Sequence, residues 1–593
     1  MKKLTALLLA LALVLCSFAG CDQLSDPDPT GGVSPGGDSA PAETVDFAQS
    51  DADMFTDRDS NPTYSGGTVI TLNGSSATVS GTGAAVSGST VTVSAPGTYV
   101  ISGSLDDGMI VVNAAGSGDK VQLVLSGVDI YSSTGAAICV LDADKVFLTL
   151  ADGSTNTLAV GETLGTVSGY EMDAAIYSRS DLTVNGSGAL EITSPAGHGI
   201  TCKDDLAVTS GSIRVTCANQ AIDANDSIRI RGGTFTLDAG KDGIHAENAD
   251  DASLGFIYIS GGVFDIECEG DGISAGNFLQ IVDGSITVLA GGGYENGSSA
   301  SSDGWGGMDG MGGRPRSGTA SSGTSTEAQS MKGLKAAAGI LLSGGTFNLD
   351  TADDSVHSDV NVTVNGGSYT IASGDDAFHA EDTLTVTACD VTVSEAYEGL
   401  EAEKIYVKGG TLWMNCSDDG LNASGGADSS GNGGRDEMFG GRPGGMGGTN
   451  ADAIIDISGG HMTIYSCGDG LDSNGNLTMS GGYVYVTNPR SGDVSVLDSQ
   501  NQPVITGGTY IGLGISTMMA ETFSSSSTQG TLALSCGLSA GTQISFSDAD
   551  GNVILSVTTE YSTQIIIVSC PEMVKGETYT VTAGTISQSF KAN

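Results

Sequence analysis

The middle of the chain consists of a repeat of about 22 residues, which constrains the fold more than any other feature of the sequence. Each unit opens with a small residue, usually glycine, followed by an aliphatic residue, and ends in a short run after Gly-Gly or Gly-Ser. Units start 22 residues apart at Gly199, Ala221 and Gly243, and again three times from Gly333 to Gly399. Such a period is typical of a solenoid, in which each unit packs against its neighbours.

Short alternating strands between glycine turns indicate which kind of solenoid this is. The period fits one coil of a parallel β-helix, whereas a β-propeller blade needs about 40 residues. The leucine columns and asparagine ladders of a leucine-rich repeat are missing, and no long segment has helical periodicity. We therefore predict an all-β chain that forms a right-handed single-stranded parallel β-helix with a small β-rich C-terminal cap.

Changes in composition suggest where the domains begin and end. We place the parallel β-helix at residues 64–503 and the cap at residues 504–593, where the repeat signature lapses. Two stretches rich in Gly, Ser and Met, 290–330 and 424–451, interrupt the repeat. We interpret them as flexible insertions, or alternatively as paired mobile lips over a binding surface.

The N-terminus has the pattern of a bacterial lipoprotein. Residues 1–20 have a basic start and a short apolar stretch, and the motif Phe18-Ala19-Gly20-Cys21 resembles a lipobox with Phe where Leu is usual. We predict cleavage before Cys21, lipidation of its sulfur and stable anchoring in a membrane, which places the protein outside the cytoplasm at the bacterial cell surface. An ordinary signal peptide with a chance cysteine is the alternative. Residues 21–63 are predicted to be a disordered acidic tether.

The charge balance excludes one class of partner. The chain has 22 Lys and Arg against 70 Asp and Glu, a formal net charge of −48. Nucleic acid is therefore not expected to bind, because its phosphates need basic partners. The balance fits divalent cations, or an acidic ligand reached through a bridging cation.

Acidic and polar residues recur at fixed positions around the small residue that opens each unit. The preceding residue is often acidic, and the residues two and four positions later are often His, Asp, Glu or Asn. Strand alternation predicts one outward surface for these positions, on coils that stack about 4.8 Å apart. Carboxylates at that spacing are able to converge on Ca²⁺, although a solvated acidic face is the alternative. The richest coils predict the calcium ligands Asp354, Asp359, Asp375, Asp376, Glu381, Glu398, Glu401 and Glu403.

Several segments resemble a known family. They include the motif Gly97-Thr-Tyr-Val-Ile-Ser-Gly-Ser104 and the segments 121–130, 174–182, 186–188, 198–206, 548–553 and 575–581. Together they resemble the secreted bacterial carbohydrate-binding β-helix proteins (carbohydrate-binding domain-containing proteins), whose fold is related to that of pectate lyases. The resemblance covers most of residues 64–593. It implies a right-handed parallel β-helix, bound calcium, and binding of plant cell-wall polysaccharide without demonstrated lyase chemistry.

Three histidines share the position two residues after the small residue: His245, His357 and His379. We interpret them, with Asp242 and Glu247, as ligand-binding groups that hydrogen-bond or contact sugar, and a zinc or iron site is the alternative.

Lys335 occupies the same column and is an alternative catalytic residue. Near calcium, a lysine of lowered pKa is able to remove the proton beside a uronate carboxylate. A charge-balancing salt bridge is the simpler interpretation, and no other catalytic residue is assigned.

Three hypotheses about function follow. The first is a carbohydrate-binding surface lipoprotein for cellulose or pectin-like acidic glycans, with calcium on the acidic positions. The second is a calcium-dependent polyuronate lyase that uses Lys335 as its base. The third is a structural or adhesive surface protein without specific affinity for sugar.

Overall fold

The computed structural model describes residues 48–593, except 115, 117–119, 298–329, 425–451, 493 and 518–519. The predicted signal peptide, the lipidation site Cys21 and most of both predicted insertions lie outside the described residues. Within the described ranges, none of the helices has the length and apolar character needed to cross a membrane.

The described chain is nearly all β, as predicted. Its helical elements are a short α-helix, Asp51–Met54, and one 3₁₀ turn, Tyr294–Asn296. The strands alternate as a two-residue period requires: in Thr234–Ala239 every second side chain is buried. The all-β class is therefore confirmed.

The first group of strands precedes the regular repeat. These strands are β1 Thr68–Gly74, β2 Ala77–Ser80, β3 Ala84–Ser87, β4 Thr90–Val93, β5 Gly97–Leu105, β6 Met109–Asn113, β7 Lys120–Ser132, β8 Ile138–Asp142, β9 Lys145–Leu150, β10 Thr155–Val160, β11 Thr166–Val167 and β12 Tyr170–Glu171.

The second group forms the repeat, and three successive strands make one coil, except that β34 and β36 each span the first two strand positions of their coils. Its first half consists of β13 Ala174–Ser178, β14 Asp181–Gly186, β15 Ala189–Ser194, β16 His198–Cys202, β17 Asp205–Val208, β18 Ser212–Cys217, β19 Ile222–Ala224, β20 Ser227–Ile230, β21 Thr234–Ala239, β22 Ile244–Ala246, β23 Phe256–Ile259, β24 Val263–Cys268, β25 Ile273–Ala275, β26 Phe278–Ile281 and β27 Ser285–Ala290. Its second half consists of β28 Leu334–Ala336, β29 Gly339–Leu342, β30 Thr346–Thr351, β31 Val356–Ser358, β32 Asn361–Val364, β33 Ser368–Ser373, β34 Phe378–Val386, β35 Asp390–Ala396, β36 Leu400–Val407, β37 Thr411–Cys416, β38 Leu421–Ala423, β39 Ile454–Ile457, β40 His461–Ser466, β41 Leu471–Ser473, β42 Asn476–Met479, β43 Tyr483–Asn488, β44 Asp498–Ser499, β45 Val504–Ile505 and β46 Thr509–Gly514.

Strands of the repeat pair in parallel with the corresponding strand of the next coil. Thus β19 pairs with β22, β20 with β23 and β21 with β24. The aliphatic residue after each small residue lies in the first strand of its coil, and Ile222, Ile244 and Ile273 are successive register partners with no exposed surface. These columns of stacked apolar side chains form one continuous core, and their burial is the main stabilising contribution.

The glycine pair before each third strand has a steric cause. The second glycine of Gly481-Gly482 has a φ of 80°, a backbone conformation that residues other than glycine rarely adopt. A Cβ at Gly482 would also lie 2.5 Å from the carbonyl oxygen of Gly459 in the preceding coil. The turn therefore requires glycine both for its conformation and for the close approach of the coils.

The C-terminal part changes to antiparallel pairing. The last strand of the parallel stack, β46, pairs in parallel with β43 on one side and antiparallel with β50, Thr563–Val574, on the other. The remaining strands are β47 Gln529–Leu538, β48 Gln543–Ser547, β49 Val553–Thr558, β50 Thr563–Val574, β51 Thr578–Ala583 and β52 Ile586–Lys591. Parallel pairing therefore continues to residue 514, beyond the predicted cap boundary at 504.

Residues 48–63, which we call the strap, run across the second strands of the coils. Gln49 exchanges hydrogen bonds with Gln280 at 2.8 and 3.0 Å. Further along, Tyr258 donates to Asp51 at 3.1 Å. The described end of the predicted tether is thus attached to the strand stack.

Candidate functional site

A cleft of 350 Å³ opens at the first strands of three consecutive coils. Their register makes His245, Ser274 and Lys335 successive partners on β22, β25 and β28. The cleft therefore brings together the predicted ligand-binding residues of this region and the alternative base. Its polar lining residues are Asp242, His245, Glu247, Asp271, Ser274, Ser330 and Lys335.

The lysine of the cleft is held by a carboxylate and a hydroxyl. Lys335 Nζ lies 3.4 Å from Asp271 Oδ2 and donates to Ser330 Oγ at 3.2 Å. Ser330 in turn donates to Asp271 Oδ1 at 2.7 Å. Because Asp271 is buried, this contact fixes a positive charge at one wall of the cleft.

The histidine of the cleft lies between two carboxylates. His245 Nδ1 is 3.0 Å from Asp223 Oδ1, and its Nε2 is 3.5 Å from Glu247 Oε2. Burial opposes the charged form, but the hydrogen bond and charge of Asp223 outweigh it and raise the pKa of His245. Burial, with the neighbouring Asp271, raises the pKa of Asp242. The cleft thus offers hydrogen-bonding groups of both signs.

The acidic residue before each small residue has a structural role that the sequence did not reveal. Asp242 accepts a hydrogen bond from the backbone N–H of Asp271, its counterpart in the next coil, at 2.8 Å. Asp354 and Asp376 accept in the same way from the N–H groups of Asp376 and Glu398, each at 3.0 Å. These carboxylates satisfy turn amides that would otherwise lack partners.

A lysine neutralises the carboxylates at the start of the acidic coils. Lys332 Nζ lies 2.9 Å from Asp353 Oδ1 and 2.7 Å from Asp354 Oδ2, and all three residues are buried. Burial disfavours the ammonium, but Asp354 and Asp353 raise the pKa of Lys332 above its usual value. Burial acts on Asp354 too, yet Lys332 holds the pKa of that carboxyl well below its usual range.

The two histidines of the acidic coils are adjacent and buried. Their ring centroids are 4.8 Å apart. His357 contacts Asp354 at 2.8 Å and Asp359 at 3.1 Å. His379 lies 3.3 Å from Asp376 and 2.8 Å from Glu401. Burial opposes protonation, but hydrogen bonds to these two carboxylates raise the pKa of His379 well above its usual value.

The predicted calcium ligands do not all share an outward surface. Among the described residues of these coils, three groups of side chains have ligand atoms within 4.8 Å of one another: Asp353 with Asp354 and Asp375, Asp354 with His357 and His379, and Asp376 with His379 and Glu401. The buried members of the predicted set are Asp354, Asp376, Glu398 and Glu401. The half-buried or exposed members are Asp359, Asp375, Glu381 and Glu403.

Glu398 lies in a part of this column where buried carboxylates face one another. Its Oε1 accepts from Asn422 at 2.9 Å, whereas its buried Oε2 has no hydrogen-bond partner. Burial and the neighbouring carboxylates of Glu401 and Asp376 raise the pKa of Glu398 well above its usual value. A cation there would satisfy an oxygen that the described residues leave unpaired.

A further carboxylate cluster was not among the predicted sites. Oxygens of Asp419, Asp469 and Asp472 lie within 4.8 Å of one another. Burial raises the pKa of Asp472 to about 7, with the charges of Asp498 and Glu521 acting in the same direction. The signal was present, because these residues occupy the same repeat positions as the predicted ligands.

Comparisons with known proteins find a matching family over part of the chain. Residues 87–377 match the family described as carbohydrate-binding domain-containing protein. A protein of that description from Acetivibrio thermocellus is 38% identical over 128 residues, which are 20% of this chain and 42% of the relative. The chain thus spans less than half of that relative's length.

A solved structure gives a second comparison. It is described as a polysaccharide lyase-like protein from C. thermocellum, in a gadolinium derivative. It is 33% identical, covers 38% of this chain and 92% of its own, and superposes with a TM-score of 0.37. The match over residues 87–377 confirms the resemblance noted in the sequence: this part of the chain is similar to the family of carbohydrate-binding domain-containing proteins.

Proposed function

We propose that this protein binds plant cell-wall polysaccharide, and that the cleft around His245 and Lys335 is its binding site. The observation that carries the proposal is the position of the cleft, whose lining residues all lie within the family match at 87–377. A cation, an imidazole, hydroxyls and carboxylates converge there, as oriented binding of a hydroxyl-rich ligand requires. Lys335 would contact a uronate carboxylate, and Glu247 would accept from sugar hydroxyls.

The proposed framework for this site is a right-handed parallel β-helix. The three-strand step of the parallel pairing supports it, because each coil returns the chain to a position beside its starting strand. Right-handed crossovers between parallel strands are strongly favoured, which supports the hand.

Calcium is the proposed cofactor of the acidic positions. The donor set is oxygen-rich, as Ca²⁺ prefers, and the unpaired Oε2 of Glu398 beside Glu401 fits a cation. The residues proposed to hold the ion are the predicted ligands on the coils of Asp376 and Glu398. Calcium there would stabilise the coils and would be able to bridge to acidic glycans.

Metal content and melting temperature together test the calcium proposal. We expect elemental analysis to find bound calcium and a chelator to lower the melting temperature, and Glu398→Gln to reduce both effects. A melting temperature unmoved by chelator, with no metal in the protein, would refute calcium binding.

We also propose that the protein is attached to the outside of the cell membrane through a lipid on Cys21. The lipobox-like motif and the tether that follows it support this location. Metabolic labelling with a fatty acid should mark the wild type and leave Cys21→Ala unmarked.

The polysaccharide proposal is tested by pull-down and by a lyase assay on the same samples. We expect the wild type to bind insoluble cellulose or calcium-treated polygalacturonate, and His245→Ala and Lys335→Ala to bind less. Lys408→Ala, which removes an exposed lysine outside the cleft, is the matched control. Wild-type protein that binds neither polysaccharide would favour the structural or adhesive hypothesis.

The lyase hypothesis remains the second candidate, because Lys335 lies in the cleft with His245. Its contact with Asp271 favours a fixed charge over a base. Formation of unsaturated product from polygalacturonate with calcium, abolished by Lys335→Ala, would establish the lyase instead of a binding protein.

A further inference from the structure

On four consecutive coils, one outward position of the third strand is occupied by threonine three times and by tryptophan once. The central outward position is occupied by register partners Thr370, Thr392, Trp413 and Thr463 on four consecutive coils. Trp413 is 38% exposed, although a tryptophan on a strand could equally have faced the core. Trp413 therefore keeps more than a third of its surface open to solvent on this face.

Other rings surround the same place. Trp413 and Tyr465 have centroids 5.5 Å apart, and His461 stacks on Tyr483 at 4.4 Å with an interplanar angle of 4°. We call Trp413, His461, Tyr465 and Tyr483 the aromatic face. Thr463 lies on β40 between His461 and Tyr465. A strand rises about 3.3 Å per residue, so His461 and Tyr465, four residues apart on β40, are separated by about 13 Å. The face is therefore wider than one sugar ring.

We propose that the aromatic face is a second polysaccharide-binding surface, and that its ligand is a neutral glycan chain. The C–H faces of a sugar ring carry a slight positive charge and pack on the negative face of an aromatic ring. The hydroxyls of Thr463 and Tyr483 lie beside the rings and would pair with sugar hydroxyls. This inference rests on the proposed function, because it assumes that the protein binds polysaccharide at all.

The charges at the border select the ligand. Tyr465 donates to Glu560 at 3.0 Å, and Asp390 is the register partner of Thr411 beside the face. In a protein of net charge −48, these carboxylates repel a polyuronate. The cleft differs, because the positive charge of Lys335 attracts acidic chains. The two surfaces are therefore expected to separate neutral from acidic glycans.

The surface lies outside the family match at 87–377. It is also bounded by the C-terminal strands, since Tyr483 packs against a separate apolar cluster that includes Phe546 of β48 and Val568 of β50. The specificity would thus be particular to chains with this C-terminal region.

Native affinity electrophoresis tests the inference with two probes, hydroxyethyl cellulose as the neutral glycan and polygalacturonate with calcium as the acidic one. The variants are Trp413→Thr and Tyr465→Thr, which introduce the residue type found at neighbouring positions of the same columns and so preserve the strand. Tyr131→Ala, which removes an equally exposed ring (42%) from β7, is the control. Thermal melts check that every variant is folded.

We expect Trp413→Thr and Tyr465→Thr to weaken retention by hydroxyethyl cellulose about tenfold each, which is the usual effect of removing an aromatic side chain that a ligand covers. Polygalacturonate retention should stay within about twofold of wild type, and Tyr131→Ala should match wild type on both probes. Unchanged retention on hydroxyethyl cellulose, or an equal loss on both probes, would overturn the inference while leaving the cleft proposal standing. A change in sedimentation instead of retention would show a contact between copies of the chain and also overturn it. If wild type binds neither probe, the proposed function itself fails.

Discussion

At the scale of single residues, Asp59 is a carboxylate that pairs with a buried lysine. It is buried, and its Oδ1 lies 2.7 Å from Lys145 Nζ and accepts from Thr183 at 2.6 Å. Asp59→Asn would leave the buried lysine without its counter-charge, so we expect a loss of about 3 kcal/mol in local stability. Hydrogen exchange of β9 and β14 would measure it, with the exposed Asp57→Asn as the matched control.

The pH dependence of that contribution follows from the same contacts. Burial alone would raise the pKa of Asp59, but Lys145 and the donors of Thr183 and Thr56 lower it well below its usual range. A depressed folded pKa stabilises the fold above the unfolded value of about 4 and ceases to do so as pH falls. The stability difference between wild type and Asp59→Asn should therefore shrink below pH about 4. A difference that stays constant down to pH about 2 would contradict this assignment.

At the scale of the elements, the glycine turns were predictable and the burial of the acidic positions was not. Alternation correctly separates Ile244 and Ala246 from His245, which points away from the core. The residue before each small residue lies in a turn, where alternation does not apply, and its carboxylate folds onto the amide of the next coil. Asp354 contacts His357, and His357 lies against His379 of the next coil, so all three side chains are buried. Such contacts across coils leave no local sequence pattern.

The turn itself gives a test at this scale. Gly482→Ala combines an unfavourable φ of 80° with a Cβ 2.5 Å from a backbone oxygen, so we expect a loss of about 2 kcal/mol or more in unfolding free energy. Gly537→Ala, where a Cβ would have nothing within 4 Å, should be nearly neutral. Chemical denaturation of both variants measures the difference, and equal stabilities would rule out the steric cause.

At the scale of the whole molecule, the repeat was sufficient to predict the strands and their stacking, but the strap was not predictable. The predicted tether, 21–63, has no periodicity, and the contacts that attach its described part to the coils are with residues distant in sequence. Gln49 and Gln280 are 231 residues apart. Such a pair forms only when the coils are stacked, because its partner residue lies on the second strand of a distant coil.

The strap has a consequence for the stability of the whole stack. It covers outward side chains of the second strands, and Phe147 and Tyr258 beneath it are each 1% exposed. Arg58 lies 4.7 Å above the ring of Phe147, and Phe55 packs on Tyr258 with centroids 6.1 Å apart. A chain beginning at Tyr64 would expose these rings and leave Lys145 unpaired, since Asp59 would be lost.

We therefore expect the chain that begins at Tyr64 to melt about 5 °C or more below one that begins at Phe47, and to bind more of a dye that reports exposed apolar surface. The chain that begins at Phe47 is the matched control, because it keeps the strap and removes everything before it. Equal melting temperatures and equal dye binding would mean that the strap only rests on the coils. A lower melting temperature would mean that a segment without any repeat signature stabilises the repeat, since it covers a face that the coils cannot bury among themselves.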